Sequence, residues 1–144
     1  MPSAPYSWLV FAGLSALFAA LTAICAKVGV EGIDSDLATL FRTVVVVVVL
    51  GGLLLTTGKL RLPEAVSGRT WAFLVLSGLG TGASWLCYFR ALKLGDAARV
   101  APIDKLSVVL VALIAVIFLG ERLSIVAWSG ILLIAGGAAL VAIG

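Results

Sequence analysis

The stretch LATLFRTVVVVVVLGGLLLTT, Leu37–Thr57, decides the fold. Its six consecutive valines, Val44–Val49, would mark a buried strand in a soluble protein, because β-branched side chains suit a pleated surface. The whole stretch is apolar enough, and at 1.5 Å per residue long enough, to cross a hydrocarbon core of about 30 Å. In hydrocarbon a lone strand leaves its N–H and C=O groups without partners, whereas a helix bonds them internally. The stretch is therefore read as a transmembrane helix. The same reading extends outward to Trp8–Val28, Thr70–Leu92, Ala97–Leu119 and Ser124–Ile143. The expected fold is an all-α membrane protein, a bundle of five transmembrane helices. Residues 1–144 form one domain, with no internal repeat and no linker.

Composition agrees. Of 144 residues, 62% are hydrophobic and 12% are charged, about half the usual charged share. A soluble domain of this size could not hide that much apolar surface. A disulfide scaffold, a disordered chain and an ordinary cytosolic enzyme are excluded. The net charge of +3 comes without a basic run, so nucleic acid is not an expected partner. There is no histidine, which removes the commonest metal ligand and general base. No nucleophile–base pair or metal cluster is visible, so no catalytic residue, cofactor or metal is expected, and the chain is not read as an enzyme. No G-x-x-x-x-G-K-[ST] loop is present to bind ATP. Cys25 and Cys87 lie in apolar stretches and are read as reduced packing residues. Met1–Ser7 carries no Lys or Arg, and the apolar run after it is long for a signal peptide, so the first span is read as retained.

Helix punctuation falls in the breaks. Gly32 follows the first span, and Ser35 or Asp36 is placed to cap the second. Gly95 ends the third, Asp96 caps the fourth, Gly120 ends it, and Ser124 caps the fifth. In the longest loop, Gly58–Arg69, Pro63 and Glu64 are expected to start a short interfacial helix.

Charges at membrane depth are costly and tend to be functional. Arg42 lies about 9 Å along the second span from Asp36, and Asp104 and Lys105 about 12 Å along the fourth from Asp96. Both spans start on the same side, which also holds Lys27 and Arg90. On one reading these groups converge on a water-accessible cavity: Arg42 and Lys105 attract anionic groups, and Asp104 balances them or takes a cation or proton. On the other, the long stems snorkel to the interface and Asp104 pairs with Arg42 or Lys105. Pro102 removes one helical bond and leaves the carbonyl of Ala98 without its partner; it either kinks the helix beside a cavity or sits harmlessly near a helix start. Trp85 and Tyr88 share a face. They either floor a cavity and offer π faces to a cation, or pack in the core and the interfacial belt. Trp8, Trp71 and Trp128 are placed as interface anchors. Small residues mark packing faces: Gly78, Gly80 and Gly82 in the third span, the stripe Ala12, Ala16, Ala19 and Ala23 in the first, and Gly130, Gly136 and Gly137 in the fifth. Gly130 and Gly137 serve either a dimer interface or packing within one chain.

Three motifs stand in order: DLATLFRTVV at Asp36–Val45, WLCYFRALKL at Trp85–Leu94, and ARVAPIDKLSVVLVALIAVIFLGERL at Ala98–Leu123. With the glycines that follow, they resemble the EamA-like branch of the drug/metabolite transporter superfamily over nearly the whole chain. The resemblance implies a five-helix repeat, present here once where many relatives carry two in inverted orientation. It implies secondary transport or export of small metabolites, amino acids or drugs. The related small multidrug resistance transporters carry a glutamate in their first helix. Leu9–Ala26 has no carboxylate, so that coupling site does not carry over. Glu121, in the G-E-R-L motif, is read as a structural loop residue.

The expected function is thus a multi-pass secondary transporter of a bacterial-type inner membrane, in contact with the lipid bilayer and a small-molecule solute. Its path runs near Arg42, Trp85, Tyr88, Asp104 and Lys105, and a proton on Asp104 is the expected coupling ion. The alternatives are an uncoupled or lipid-linked carrier and a structural or assembly subunit of a larger membrane complex. Lys59, Arg61, Arg69 and Arg122 lie on one side, against Lys27, Arg90, Lys93 and Arg99 on the other. This balance gives no preferred orientation. It points to an antiparallel homodimer, or a paired homologous subunit, joined through Gly130 and Gly137, against a fixed orientation with the Gly58–Arg69 loop cytoplasmic and a parallel dimer or heteromeric partner.

Overall fold

A computed structural model of the chain describes residues 7–61 and 66–144. Among them the regular elements are all helical: α1 (Ser7–Gly29), α2 (Ser35–Thr56), α3 (Gly68–Leu94), α4 (Ala97–Asp104), α5 (Ser107–Phe118) and α6 (Ile125–Ile143). Five stretches are long and apolar enough to cross a membrane, with Ala97–Phe118 counting as one. The valine run lies wholly within α2, so the backbone's need for internal hydrogen bonds overrides β propensity, as expected for hydrocarbon. The short interfacial helix expected at Pro63 and Glu64 falls outside the described residues.

The fourth span is not the continuous helix expected over Ala97–Leu119. It is interrupted at Lys105–Leu106. The N–H groups of Lys105, Leu106, Val108 and Val109 donate to carbonyls three residues back, at 3.0–3.1 Å, the tighter 3₁₀ pattern. Pro102 stands one turn before the break. It has no N–H to give to Ala98, so the turn leading to the break is held by fewer bonds, while Ala97–Asp104 itself stays helical.

Other ends differ by a residue or two. The cap of α2 is Asp34, not Ser35 or Asp36. Asp34 is extended (φ −63°, ψ 137°), and its Oδ1 accepts from the N–H groups of Asp36 at 2.9 Å and Leu37 at 3.2 Å. Ser67 Oγ accepts from the Thr70 N–H at 3.1 Å at the start of α3, and Ser124 accepts from that of Ala127 at 3.1 Å at the start of α6. Asp96 holds a cap conformation but makes no side-chain cap bond. After α5 the chain turns at Gly120, whose φ of +69° a side chain would resist, and the Glu121 N–H reaches the Ala115 carbonyl at 3.1 Å. Asp34→Ala should cost about 1 kcal/mol of stability, read as a lower unfolding midpoint in detergent. An unchanged midpoint would show that another group takes over the cap.

The chain sorts into two compact units, Ala26–Lys93 and Met1–Cys25 with Leu94–Gly144. In the first, the core gathers around Val30, Leu92 and Phe89, with Ala26, Ala38, Ser35 and Thr39. Thr39 is tolerated there because its hydroxyl donates to the Ser35 carbonyl at 2.9 Å. In the second, α6 packs on α4 and α5, with Ala112, Ala115 and Ala138 buried. Alanines let helix backbones approach where lipid removes the usual hydrophobic drive. Large apolar side chains instead cover the outside, Phe11, Val48 and Ile117 among them. Of the alanine stripe on α1 only Ala23 is buried; Ala12, Ala16 and Ala19 are exposed. Cys25 and Cys87 are free thiols and exposed, not the packing residues expected.

Candidate functional site

Arg42 reaches from α2 to α3. Its guanidinium carbon sits 3.6 Å from the centre of the Trp85 ring and 5.5 Å from that of Phe89. Trp85 and Phe89 are four residues apart and share one helix face, so α3 presents a two-ring shelf to a single cation. Such a contact strengthens as water is removed, which offsets part of the cost of placing a guanidinium in a membrane span. The π face expected to meet a cation thus meets the chain's own Arg42. Tyr88 is half-buried on the same helix. Phe89 was not among the expected site residues. Its position one turn after Trp85 was the available signal, but apolar side chains at helical spacing are too common to single one out.

The same unit holds a second set of cations, all engaged near the ends of α1 and α3. Arg90 grips Asp36 with two hydrogen bonds, from Nε to Oδ1 at 2.9 Å and from an Nη to Oδ2 at 2.5 Å. Lys27 Nζ donates to the Leu92 carbonyl at 2.8 Å, and Lys93 Nζ to that of Ile33 at 2.7 Å. The Leu92 carbonyl lies in the last turn of α3 and lacks a helical partner, and the Ile33 carbonyl lies in the turn between α1 and α2, so each lysine meets an acceptor outside the helical ladder. Because Asp34 takes the cap, Asp36 is left in the first turn of α2 to meet Arg90. Lys27 and Arg90 therefore tie helix ends together, where snorkelling was the simpler expectation.

In the other unit, Lys105 Nζ lies 3.1 Å from Asp104 Oδ2 at the interruption of the fourth span. Asp104 thus has a counter-ion within its own unit, on the next residue of the chain. Adjacent side chains diverge on a helix, so it is the four-carbon stem of Lys105 that folds back to the carboxylate. Elsewhere in this unit a groove of about 320 Å³ runs between α5 and α6, lined by Val108, Val111, Ala115 and Ile131, with Glu121 at its rim. Among the described residues no group of His, Cys, Asp or Glu is arranged to hold a metal ion.

The structure thus joins Arg42 to Trp85, and Asp104 to Lys105, and places Pro102 one turn before the interruption. Together with five apolar spans, these features define a multi-pass α-helical membrane protein with charged groups held inside its spans. The EamA-like transporter family model matches residues 6–143, and the chain belongs to that family. An uncharacterized transporter in the cobO 3′ region of a Sinorhizobium species is 61% identical over 137 residues, covering 95% of this chain and 97% of that protein. No solved structure matches.

Proposed function

We propose that this membrane transporter is a secondary transporter or exporter of small metabolites, amino acids or drugs, driven by a coupled proton and acting as a dimer in a bacterial-type inner membrane. The reading includes no catalytic step. The observation that carries it is the interrupted fourth span. Irregular backbone at membrane depth is tolerated where it is buried in protein or lines a water-filled cavity, and interrupted spans recur at the binding sites of transporters. Here the interruption carries Asp104 and Lys105, a carboxylate able to take a proton and the ammonium that balances it. Arg42 on its ring shelf, with Trp85 and Tyr88, is proposed to contact the solute.

The dimer is proposed to pair through α6. A methyl group added at Gly130 or Gly137 would meet nothing within 4 Å beyond the adjoining backbone of α6, as at most glycines of the chain. The proposal rests on their seven-residue spacing along one face, since small residues permit close approach of helices.

The test is proton-coupled flux in proteoliposomes, with Asp104→Asn as the decisive variant. Asparagine keeps an oxygen to accept from Lys105 but cannot carry a proton. The variant leaves the Lys105 charge uncompensated and should be less stable, but compared at equal amounts of folded, inserted protein it should lose solute flux driven by a pH gradient. Gradient-driven flux equal to that of the parent chain would remove Asp104 as the coupling group. Solute flux indifferent to the gradient in the parent chain would favour an uncoupled carrier, and no flux of any solute would favour an assembly subunit.

A further inference from the structure

We infer that Arg42, clamped on Trp85 and Phe89, binds the carboxylate of a small organic acid; this names the solute class for the transport reading above and rests on it. The geometry separates the two ways a guanidinium makes contacts. Stacking on Trp85 at 3.6 Å uses its flat face. The N–H donors lie in the plane of the group, at its edge. Among the described residues Arg42 joins neither the Arg90–Asp36 nor the Lys105–Asp104 ion pair, and the Tyr88 phenol is its electrostatic neighbour. The neighbouring cations differ: Arg90 is bonded to Asp36, Lys27 to the Leu92 carbonyl and Lys93 to the Ile33 carbonyl.

The shelf therefore holds one side-chain cation stacked on a ring, about 9 Å along α2 from Asp36, with its donor edge outside the stack. A planar fork of N–H groups matches a carboxylate through two parallel bonds. Because stacking already restrains the side chain, less freedom is lost when the acid binds. One such fork, among neighbouring cations already bonded, suits a monocarboxylate better than a dianion. An amine, itself a cation, finds no acceptor at this edge, and an uncharged oxygen accepts from it only through a weaker bond without the charge.

The test uses the full chain in phosphatidylcholine nanodiscs and three probes with the same ring: benzoate, benzyl alcohol and benzylamine. Benzoate should raise the unfolding temperature in a saturable way, as a ligand of the folded state does, and the other two should not. Arg42→Gln should weaken benzoate binding roughly ten- to a hundredfold, the expected effect of losing a charged hydrogen-bonding partner. Arg42→Lys keeps the charge without the fork and should fall between. The comparison of probes on the unaltered chain stands even if a variant fails to fold. No benzoate shift, an equal shift with benzylamine, or full benzoate binding by Arg42→Gln would overturn the inference. A phospholipid phosphate is the other oxyanion within reach. Phosphatidylcholine already carries that phosphate, so a benzoate response absent in the nanodiscs and present only in phosphate-free maltoside micelles would assign the donor edge to lipid headgroups and also overturn it. Flux measurements separate this outcome from that of the transport reading. Benzoate binding without flux of any solute leaves the site standing and removes transport. Flux of amines that benzoate neither follows nor competes with leaves transport standing and removes the carboxylate site.

Discussion

Replacing Asp104 with leucine, or Lys105 with leucine, is expected to destabilise the protein more than replacing both. The two groups are 3.1 Å apart where the fourth span is interrupted, some 12 Å along that span from Asp96. Removing one leaves the other charged and without its counter-ion at depth. Insertion scales put an uncompensated Lys or Asp at a helix centre at about 2.5–3.5 kcal/mol, so each single replacement should approach that loss, less whatever Lys105 recovers by extending its stem toward the interface. The double replacement removes both charges together. It should lie closer to the parent, as when an ion pair gives way to apolar side chains. Unfolding of the four proteins in mixed detergent micelles supplies the cycle. A coupling of at least 1 kcal/mol between the two sites is expected, in line with residues in direct contact. Losses that simply add would mean that the two charges face separate surroundings, and the interrupted span would then lose its place as a paired, cavity-lining element.

A single added lysine is expected to convert a mixed population of membrane orientations into one. Orientation follows the Lys and Arg bias of short loops and helix ends. With five spans, Lys59, Arg61, Arg69 and Arg122 stand against Lys27, Arg90, Lys93 and Arg99, an even balance. The engagement of Lys27, Arg90 and Lys93 in the folded state does not change this, because the bias acts as the chain inserts. Reporter fusions at the C-terminus should therefore give signal from both sides of the membrane. A lysine added to the loop after α2 should move nearly all of it to one side, and a lysine added between α1 and α2 should move it to the other. An antiparallel pair of five-span chains would reproduce the inverted symmetry of alternating access, so orientation-locked chains should be active only when both orientations are expressed together. Signal from one side alone, unmoved by either lysine, would end the antiparallel proposal and leave a parallel or heteromeric partner.

The class of fold was legible in the sequence because hydrocarbon leaves so few choices. Given Leu37–Thr57 and its four companions, length, hydropathy and the backbone's need for internal bonds admit helices and little else, even through six valines. The costly residues were legible for the same reason: Arg42, Asp104, Lys105 and Pro102 stand out against apolar stretches that make them expensive. What those residues touch was not legible. Hydropathy says that a charge at depth needs compensation, but not from which side chain. Arg42 is compensated by the rings of Trp85 and Phe89, Asp104 by its neighbour Lys105, and Asp36 is free for Arg90 only because the cap falls to Asp34. The site of the helix interruption belongs with these. Pro102 announces a weakened turn, but the residues that absorb it are set by the bonds available downstream, and only the folded chain shows that they are Lys105 and Leu106. Periodicity and composition describe one helix at a time, whereas pairing and stacking depend on distances between residues up to sixty-five positions apart in the chain, which only tertiary packing decides.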